Sequence, residues 1–590
     1  MPSENLLTAF LQPDAALMSA VYAGTGLDPF PVQETTIGGG GDATRAFLNA
    51  DQRSGIADNG KPSYTIDQAA SQIIRGAPGW SNALGVGFTV SYAYRASAPT
   101  NMPDDSGGFQ QFSAVQIAQT ELALQAWSDV ANIRFTRVGS GTSDALAYSN
   151  SATILFANYT TGVAGAAAFG EFPGSTSFNS PAGDVWINST FSYNTNPTVG
   201  NYGGQVLVHE IGHAIGLDHP SAYNAAANAT LTYANDASYY EDSRQYTVLS
   251  YFNEFNTGGD FGPLYSAAPL LDDIAAAQLE YGANLTTRTG DSVYGFNSNT
   301  DEPWYTITSS TSKAVFAVWD AGGNDTLDFS GYSQFQTIDL RQGFFSSVGG
   351  LLGNVTIAQH ADIENAIGGS GPDSIVGNAL NNSLAGGAGA DTILAGAGAD
   401  TIDGGAGQNY LRGEDGDDSI NGGSGFDDAN GNMGNDTIHG NGGDDFSVGG
   451  KGDDLLFGDD GNDIVWGNLG NDTGNGGNGD DQVRGGQGDD SLPGGAGNDF
   501  ISGDRGNDTE SGGPGADIFH GSQDAGIDRV LDFNLAEGDR VQLDPGTTFT
   551  VSQVGADTVI DMGASGGQPN QIILVGVTFS TLTPGWIFGA

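Results

Sequence analysis

The sequence predicts a multidomain chain in which an α/β domain is followed by an all-β region of stacked parallel strands. Three observations carry this expectation. The chain has 590 residues, well above the size at which a single hydrophobic core keeps growing. Segments of helical and strand periodicity alternate over residues 56–285. An unbroken nonapeptide repeat then occupies residues 368–520.

The first region mixes both kinds of periodicity. Apolar residues recur at helical spacing in 67–76 and 112–133. They alternate or cluster as in strands in "FTVSYAY" (88–94), "ATILFANY" (152–159) and "GDVWIN" (183–188). Strands interspersed with long helices are typical of α/β or α+β domains.

The second region consists of seventeen successive nonapeptides without an insertion. Position eight is a large apolar residue in thirteen of them and is predicted to point into a thin core between two parallel sheets. Position six is aspartate in fifteen, and Asn382 and Asn409 are the exceptions. Calcium takes roughly six to eight oxygen ligands, which inward-facing glycine carbonyls and these aspartates can supply. The predicted calcium-binding aspartates are Asp373, Asp391, Asp400, Asp418, Asp427, Asp436, Asp445, Asp454, Asp463, Asp472, Asp481, Asp490, Asp499, Asp508 and Asp517.

Low-complexity disorder is the alternative interpretation of this repeat region. Disorder would account for its glycine and aspartate content, but not for a constant register of nine with an apolar residue kept in place. Without calcium, however, disorder is the expected state, because so many like charges cannot be packed together.

The chain is strongly acidic, with 70 Asp and Glu against 17 Lys and Arg and a formal net charge of −53. This charge would repel nucleic acid and anionic membranes, so neither is expected as a partner. Because there is no cysteine, only His, carboxylate or Tyr side chains can hold a transition metal. The first basic residue is Arg45, so the N-terminus does not resemble a Sec signal peptide, and no segment reaches the ~18 apolar residues of a membrane span.

The segment "HEIGHAIGLDHP" (209–220) contains three of the six histidines of the chain. His209 and His213 are four residues apart and therefore share one face of a predicted helix. Gly216 allows the chain to leave the helix sharply, so His219 can return as a third nitrogen ligand. Three neutral ligands that leave a position open for water predict one catalytic zinc ion, with Glu210 as the general base. The alternative, incidental histidines on an exposed helix, does not explain the full H-E-x-x-H-x-x-G-x-x-H spacing.

With this motif the chain resembles the metzincin clan and, within it, the serralysin family of secreted bacterial zinc metalloproteases. "GKPSYTIDQAASQI" (60–73) is similar to the start of the family's catalytic domain. Residues 270–300, 316–332 and 363–371 are similar to its junction with the calcium-binding RTX repeats. The resemblance implies a metzincin-like zinc protease domain followed by a parallel β-roll.

The resemblance also implies two roles beside the zinc ion. Tyr251 matches the family tyrosine that ligates zinc and swings away to stabilise the tetrahedral intermediate. The family's Met-turn corresponds to "YTVLSYF" (246–252), in which Leu249 stands where methionine is expected. That methionine forms an apolar floor below the histidines and does not bind zinc, so we expect the substitution to be tolerated. The calcium sites before the roll map, by resemblance, onto Arg288, Gly290, Ser292, Asp320, Gly322, Gly323, Asp325, Asp362 and Glu364.

Four segments are predicted. They are a leader that acts as a propeptide (1–55), the zinc protease domain (56–285), the RTX β-roll (286–520) and a β cap (521–590). The apolar C-terminus, 573–590, resembles the uncleaved signal of type I secretion substrates. We therefore expect an extracellular monomer with zinc, several structural calcium ions, protein or peptide substrates, the type I secretion machinery and a proteinaceous inhibitor as partners.

Two functions from different classes remain open at this stage. The first is a secreted endopeptidase that hydrolyses extracellular proteins. The second is a non-enzymatic calcium-binding surface or adhesion protein that retains a protease-like domain. The unusual length of the repeat array favours the second slightly, whereas the intact zinc motif with Glu210 and Tyr251 favours the enzyme.

Overall fold

The computed structural model describes residues 47–589 except 76–78, 82, 104–105, 163–165, 175–181, 224–230, 523–524 and 566–567. Most of the predicted leader, residues 1–46, therefore lies outside the described residues. Residues from Phe47 onward form one compact unit. Among the described helices, none combines the length and the apolar character that a membrane span requires.

The α/β region contains a sheet in the strand order β4-β3-β5-β7-β6. All neighbours in this sheet are parallel except β6, which pairs antiparallel with β7 at the edge. The strands predicted at 88–94, 152–159 and 183–188 are β3, β5 and β7. The first strands of the chain are β1 (Gly55–Ile56), β2 (Pro62–Ser63), β3 (Phe88–Tyr94), β4 (Ile133–Arg137), β5 (Ile154–Tyr159), β6 (Ala168–Gly170) and β7 (Val185–Asn188).

Both helices predicted from periodicity form, and both begin at a capping box. Thr65 accepts a hydrogen bond from the backbone of Gln68, and Ser113 does the same for Gln116. Trp127 of the second helix is fully buried and donates to the carbonyl of Val208. The helices are α1 (Ile66–Ile73), α2 (Ala114–Val130), α3 (Ser192–Thr195), α4 (Tyr202–Ala214), α5 (Tyr233–Asp236) and α6 (Leu271–Tyr281).

The described end of the predicted leader, from Phe47 onward, packs against the rest of the molecule. The backbone N–H of Ala50 donates to the carbonyl of Gly343, 3.1 Å away. Arg53 is fully buried and donates two hydrogen bonds, of 2.8 and 2.9 Å, to the carboxylate of Asp272. The predicted boundary at residue 55 stays a prediction.

A junction of short strands joins α6 to the repeats. Strands β8, β10 and β14 begin one of the two sheets of the roll and β11 begins the other, while β12, β13 and β9 form a small separate sheet. The junction strands are β8 (Val293–Gly295), β9 (Phe316–Val318), β10 (Thr326–Asp328), β11 (Gln336–Asp339), β12 (Phe345–Ser346), β13 (Val355–Ile357) and β14 (Asn365–Ile367).

The repeats form two parallel sheets, because successive strands alternate between them and each strand pairs with the one eighteen residues away. Position-eight residues such as Ile393, Ile402 and Leu411 are fully buried between the sheets. The fold class predicted for this region is confirmed. The strands are β15 (Asp373–Val376), β16 (Ser383–Ala388), β17 (Thr392–Ala397), β18 (Thr401–Ala406), β19 (Asn409–Asp415), β20 (Ser419–Ser424), β21 (Asp427–Met433), β22 (Thr437–Gly442), β23 (Phe446–Lys451), β24 (Leu455–Asp460), β25 (Ile464–Leu469), β26 (Thr473–Asn478), β27 (Gln482–Gln487), β28 (Ser491–Pro493), β29 (Gly495–Ala496), β30 (Phe500–Arg505), β31 (Thr509–Ser511) and β32 (Ile518–Gly521).

The C-terminal strands extend both sheets and end one of them with an antiparallel hairpin. Strand β33 continues the first sheet next to β31, and β34 continues the second next to β32. Strands β35, β36 and β37 are antiparallel neighbours beyond β33. These strands are β33 (Ile527–Val530), β34 (Arg540–Leu543), β35 (Thr550–Val554), β36 (Asp557–Ser565), β37 (Gln568–Leu574) and β38 (Ile587–Phe588).

Candidate metal centres

Helix α4 carries three of the five residues predicted to form the zinc site, namely His209, Glu210 and His213. Its first turn is capped by Asn201, whose side chain accepts from the backbone of Gly204 at 2.9 Å. The helix ends before Gly216, which has a φ of +102°, a conformation that favours glycine. This sharp exit brings the following segment, with His219, back toward His209 and His213.

The three histidines converge through their Nε2 atoms. His213 Nε2 lies 3.1 Å from His209 Nε2 and 3.1 Å from His219 Nε2. Zinc–nitrogen bonds of about 2.0–2.1 Å in a tetrahedral site would separate two nitrogens by roughly 3.4 Å, so the observed spacing fits zinc. His209 Nδ1 donates to the carbonyl of Val248 at 2.8 Å, and His213 Nδ1 donates to that of Leu217 at 2.7 Å. These bonds leave the Nε2 lone pairs free for a metal.

Burial keeps the histidines neutral, which is the state that binds a metal. It lowers the pKa of His209 to about 3 and that of His213 to about 4. The pKa of His219 is also lowered well below its usual value, chiefly by burial and then by the neighbouring histidines. The predicted ligand set therefore fits zinc in geometry, tautomer and charge.

Glu210 points toward the edge strand β6. Burial raises the pKa of Glu210 to about 8, and the neighbouring Gly170 backbone offsets part of this rise. A Cβ added at Gly170 would lie only 2.6 Å from the Glu210 carbonyl and 3.3 Å from Glu210 Oε2. The close approach of β6 to the helix therefore requires glycine at this position.

Tyr251 lies beside the histidines, as the resemblance implied. Its ring centroid is 4.5 Å from that of His219 and 5.8 Å from that of His209. Tyr251 is 38% exposed, whereas His209 and His213 are buried and His219 is partly buried, so Tyr251 faces the open side of the site. A role for Tyr251 as a zinc ligand stays a prediction.

Leu249 forms the apolar floor that the Met-turn position implies. It is fully buried, and its Cδ2 would lie 2.9 Å from a Cβ added at Gly212 of helix α4. The Trp127 ring lies 3.2 Å from the same point. The leucine thus packs directly under the helix that carries the zinc ligands.

Sequence reasoning missed a buried carboxylate that holds the turn under the site. Asp273 accepts hydrogen bonds from Thr247 Oγ1 (2.5 Å), Val248 N (2.7 Å) and Leu270 N (2.9 Å). Val248 is the residue whose carbonyl orients His209. Burial raises the pKa of Asp273 to about 7.

A second missed carboxylate, Asp242, connects the loop after His219 to the same turn. It accepts hydrogen bonds from Ser221 Oγ (2.5 Å), Tyr223 Oη (2.9 Å) and Ser250 Oγ (2.7 Å). Tyr223 Oη in turn accepts from the backbone of Tyr251 at 3.3 Å. Asp242 therefore helps to fix the position of the candidate catalytic tyrosine.

The structure brings together part of the predicted calcium set before the roll. Asp325 Oδ1 accepts from the backbone of Ser292 at 2.7 Å, and Glu364 Oε2 accepts from the backbone of Asp325 at 2.7 Å. Asp325 Oδ2 is buried and has no hydrogen-bond partner among the described residues. Ser292 Oγ donates to the carbonyl of Gly290, and a Cβ added at Gly323 would lie 2.6 Å from that carbonyl oxygen.

The other residues predicted to bind calcium before the roll differ in the oxygen atoms that they could provide to the ion. Asp320 Oδ1 accepts from the backbone of Gly322 at 2.8 Å. The Arg288 guanidinium is occupied by Asp129 and the carbonyl of Trp319, so Arg288 can offer only its own carbonyl oxygen. The Asp362 side chain is exposed and accepts from Gln342 at 2.7 Å.

The repeat aspartates form a ladder through the roll. In each step the backbone N–H of one position-six residue donates to Oδ1 of the residue eighteen positions later, as from Asp445 to Asp463 at 2.8 Å. Asn409 keeps the ladder, accepting from Asp391 at 3.1 Å. With the exception of Asp373, which accepts from Gly369, every predicted repeat aspartate has a buried Oδ2 without a partner among the described residues.

These orphaned oxygens fit calcium. Burial raises the pKa of the carboxyl groups, for example to about 7 in Asp454 and to about 8 in Asp445. A row of bare carboxylate oxygens beside glycine carbonyls is a donor set for a hard cation. The ladder also extends beyond the repeats, since Asp508 donates to Asp528 at 3.3 Å and Asp517 to Asp539 at 3.1 Å. Sequence reasoning missed these two, because the spacing changes from eighteen to twenty and twenty-two.

Three family models match this chain. Matrixin matches residues 109–245, and Peptidase M10 serralysin C terminal matches residues 283–421. The RTX calcium-binding nonapeptide repeat (4 copies) matches residues 412–447, 439–473 and 475–510. The matches cover both predicted regions of the chain.

Curated relatives are similar over more than half of the chain. Metalloprotease AprA of Pseudomonas entomophila is 48% identical over 346 residues, which is 57% of this chain and 68% of the relative. Serralysin C of Dickeya chrysanthemi is 48% identical over 325 residues, 55% of this chain and 66% of the relative. Among solved structures, extracellular lipase LipA from Serratia marcescens covers 39% of this chain and 41% of its own, at 20% identity and a TM-score of 0.19, which is too low to support a conclusion.

Proposed function

The chain belongs to the serralysin family and is a zinc metalloendopeptidase, and we propose that His209, His213 and His219 hold its single catalytic zinc ion while Glu210 acts as general base. The observation that carries the proposal is the convergence of three neutral Nε2 atoms beside a buried carboxylate. Because the relatives are named as proteases, the non-enzymatic alternative is not favoured.

The residues divide the chemistry among them. Bound zinc would polarise the scissile carbonyl and lower the pKa of a water molecule. Glu210 would take a proton from that water and pass it to the leaving amine nitrogen. Burial raises the pKa of Glu210, and a neighbouring dication would lower it again and favour the ionised carboxylate that a general base requires. Tyr251, on the open side, would donate its hydroxyl hydrogen to the developing oxyanion.

Strand β6 offers a backbone for an extended peptide. It lies at the edge of the sheet and, among the described residues, pairs only with β7, and Gly170 at its end contacts Glu210. A substrate that adds to this edge as a further strand would present its backbone carbonyls next to the zinc ligands. This favours hydrolysis within extended protein segments.

Further proposals concern the whole protein. Residues 1–55 would act as a propeptide, structural calcium ions would fill the roll and drive its folding, and residues 573–590 would direct type I secretion. The protein would act outside the cell as a monomer, where a proteinaceous inhibitor could meet it. The RTX repeat match and the named relatives support the calcium ions and the extracellular location.

Replacing Glu210 by alanine tests the assignment of the general base. Glu210→Ala keeps all three imidazoles, so zinc content should stay near one ion per chain. Casein hydrolysis should fall by at least ~10²-fold, the usual contribution of a general base. His213→Ala is the matched control and should lose both zinc and activity. A Glu210→Ala enzyme that cleaves casein at the wild-type rate would disprove the assignment.

A further inference from the structure

A row of tyrosine rings leads from the zinc site to an arginine. Tyr202 begins helix α4 and precedes His209 by two helical turns, so the two side chains share one face of the helix. The Tyr202 ring centroid is 5.1 Å from that of Tyr193 and 5.1 Å from that of Tyr265. The guanidinium carbon of Arg244 lies 5.1 Å from the centroid of the Tyr265 ring. The three tyrosines and the arginine are each partly exposed, so the row lines an open surface.

Electrostatic interactions connect this row to the catalytic groups. The pKa of Tyr202 is raised chiefly by burial, while the charge of Arg244 lowers it and that of Glu210 raises it. The pKa of Tyr251 is also raised, again chiefly by burial and then by Glu210 and Tyr202. The Tyr202 hydroxyl is therefore close enough to interact with Glu210, Tyr251 and Arg244. Arg244 thus lies at one end of a surface that has Glu210 at its other end.

Within the described residues, the Arg244 guanidinium has neither a hydrogen-bond acceptor nor an ion-pair partner. Its Nε atom is buried, so water does not replace the missing acceptor there. Burial raises the pKa of the nearby Glu254 and the charge of Arg244 opposes this rise, but the two side chains form no ion pair. A guanidinium that rests on an aromatic ring and is otherwise unpaired is arranged in advance to bind an anion, because its planar fork of N–H donors matches a carboxylate.

The role proposed for Glu210 determines which part of a substrate meets this row. Glu210 would pass a proton to the leaving amine nitrogen, so the residue that contributes this nitrogen lies on the Glu210 side of the zinc ion. The substrate residues that follow the cleaved bond would then run along the tyrosine rings toward Arg244. The rings can pack against the carbon atoms of a side chain while its polar end reaches the guanidinium.

We propose that Arg244 is a specificity-determining residue that binds a carboxylate of the substrate on the leaving-group side of the cleaved bond. The proposal rests on the roles given above to the zinc ligands and to Glu210. An acidic side chain and the C-terminal carboxylate of a peptide offer the same chemistry to the guanidinium. A neutral residue at this place leaves Arg244 unpaired and is therefore the poorer substrate.

Hydrolysis of paired peptides by the full chain tests this role. Each pair carries a fluorophore and a quencher, has an amidated C-terminus and differs only in Glu or Gln at the first, second or third residue after the cleaved bond. Mass spectrometry of the products verifies that both members are cut at the same bond. At one position the wild type should cleave the Glu peptide with a kcat/KM about 10–100-fold higher, the effect of a hydrogen bond to a charged group. Gln peptides that end at that position with a free or an amidated C-terminus show whether a terminal carboxylate is also bound.

Variants of Arg244 show whether this residue reads the carboxylate. In Arg244→Gln the ratio of the two kcat/KM values should fall to about one, because the charged donors are gone. Arg244→Lys keeps the charge without the planar fork, so its ratio should lie between those of Arg244→Gln and the wild type. Arg134→Gln removes an exposed arginine of β4 and is the matched control, which should keep the wild-type ratio.

The ratio is taken within one enzyme, so a variant that folds poorly or loses zinc changes both rates together and leaves the ratio interpretable. A wrong assignment of the general base would appear instead as unchanged hydrolysis of both peptides by Glu210→Ala. A wild type that prefers neither Glu at any of the three positions nor a free C-terminus would overturn the role of Arg244. A wild-type ratio in Arg244→Gln would do the same. If Arg244→Gln is inactive, Arg244→Lys decides, and a wild-type ratio there would contradict the proposal.

Discussion

The zinc centre and the calcium ladder differ in whether the protein itself provides hydrogen-bond partners for the ligand side chains. In the zinc centre, backbone carbonyls orient His209 and His213, and Asp273 holds the turn whose carbonyl orients His209. Protein contacts alone therefore arrange these two ligands. In the roll, by contrast, Oδ2 of nearly every position-six aspartate is buried without a partner among the described residues. Both regions are proposed metal sites, but only in the first do protein groups alone compensate the buried polar atoms of the ligands.

The difference follows from the charge of the ligands. Neutral imidazoles can be buried among apolar residues at little cost, whereas a buried carboxylate must be protonated, paired or bound to a cation. The two metals should therefore act at different levels. Zinc should be needed for chemistry in a domain that is already folded, and calcium should be needed for the roll to fold at all.

Calcium removal should give the largest effect. Dialysis of the full chain into calcium-free buffer at pH 8 should abolish the parallel β signal of the roll in circular dichroism, and millimolar calcium should restore it cooperatively. Removing zinc alone with a chelator that leaves calcium in place should abolish proteolysis and leave that signal unchanged. A roll that stays folded at pH 8 without calcium would remove the proposed contrast between the two regions.

The pH dependence of calcium-free protein sharpens the same experiment. Burial raises the pKa of the folded-state aspartates, to about 6 in Asp463 and about 8 in Asp445, above the ordinary value of 3.8. A group with a raised folded-state pKa stabilises the fold below its unfolded pKa and loses that contribution as pH rises through the folded value. Calcium-free roll should therefore be more structured at pH 5 than at pH 8. In millimolar calcium the preference should reverse, because calcium requires ionised carboxylates.

Removing Asp273 should produce an intermediate effect and test whether the zinc site is arranged by protein contacts. Asp273→Ala leaves three donors unsatisfied, at a cost of roughly 1–3 kcal/mol for each buried group. Because the Val248 carbonyl orients His209, zinc affinity should also fall by about 10–100-fold. Thermal melting measures the loss of stability, and competition with a zinc indicator measures the loss of zinc affinity. The exposed Asp58→Ala variant is the control, and wild-type zinc affinity in Asp273→Ala would contradict the role given to this residue.

Sequence patterns predicted what depends on periodicity and spacing. The nonapeptide register predicted the stacked sheets, and the histidine spacing predicted the convergence of His209, His213 and His219. Sequence patterns could not predict the structural role of Asp273. An acidic residue in the first turn of a helix is also favoured by the helix dipole when it lies on a solvated surface. Its contacts depend on how α6 packs against residues 247–248, which are distant in sequence. Asp528 was also missed, because it follows its ladder partner Asp508 by twenty residues and not by the eighteen of the repeats.

Leu249→Met should have the smallest effect, and it tests whether the floor of the zinc site acts by packing alone. Leu249 is fully buried against Gly212 and Trp127, and methionine fills a similar volume with a more flexible chain. The change in the free energy of unfolding should stay under ~1.5 kcal/mol, with zinc content and casein hydrolysis close to wild type. Leu249→Ala is the matched comparison and should cost about 2–5 kcal/mol through the cavity it leaves under the helix. If Leu249→Met changed proteolysis more than tenfold while zinc content and melting stayed unchanged, the residue would influence the chemistry itself, and a floor that only supports the histidines would no longer describe it.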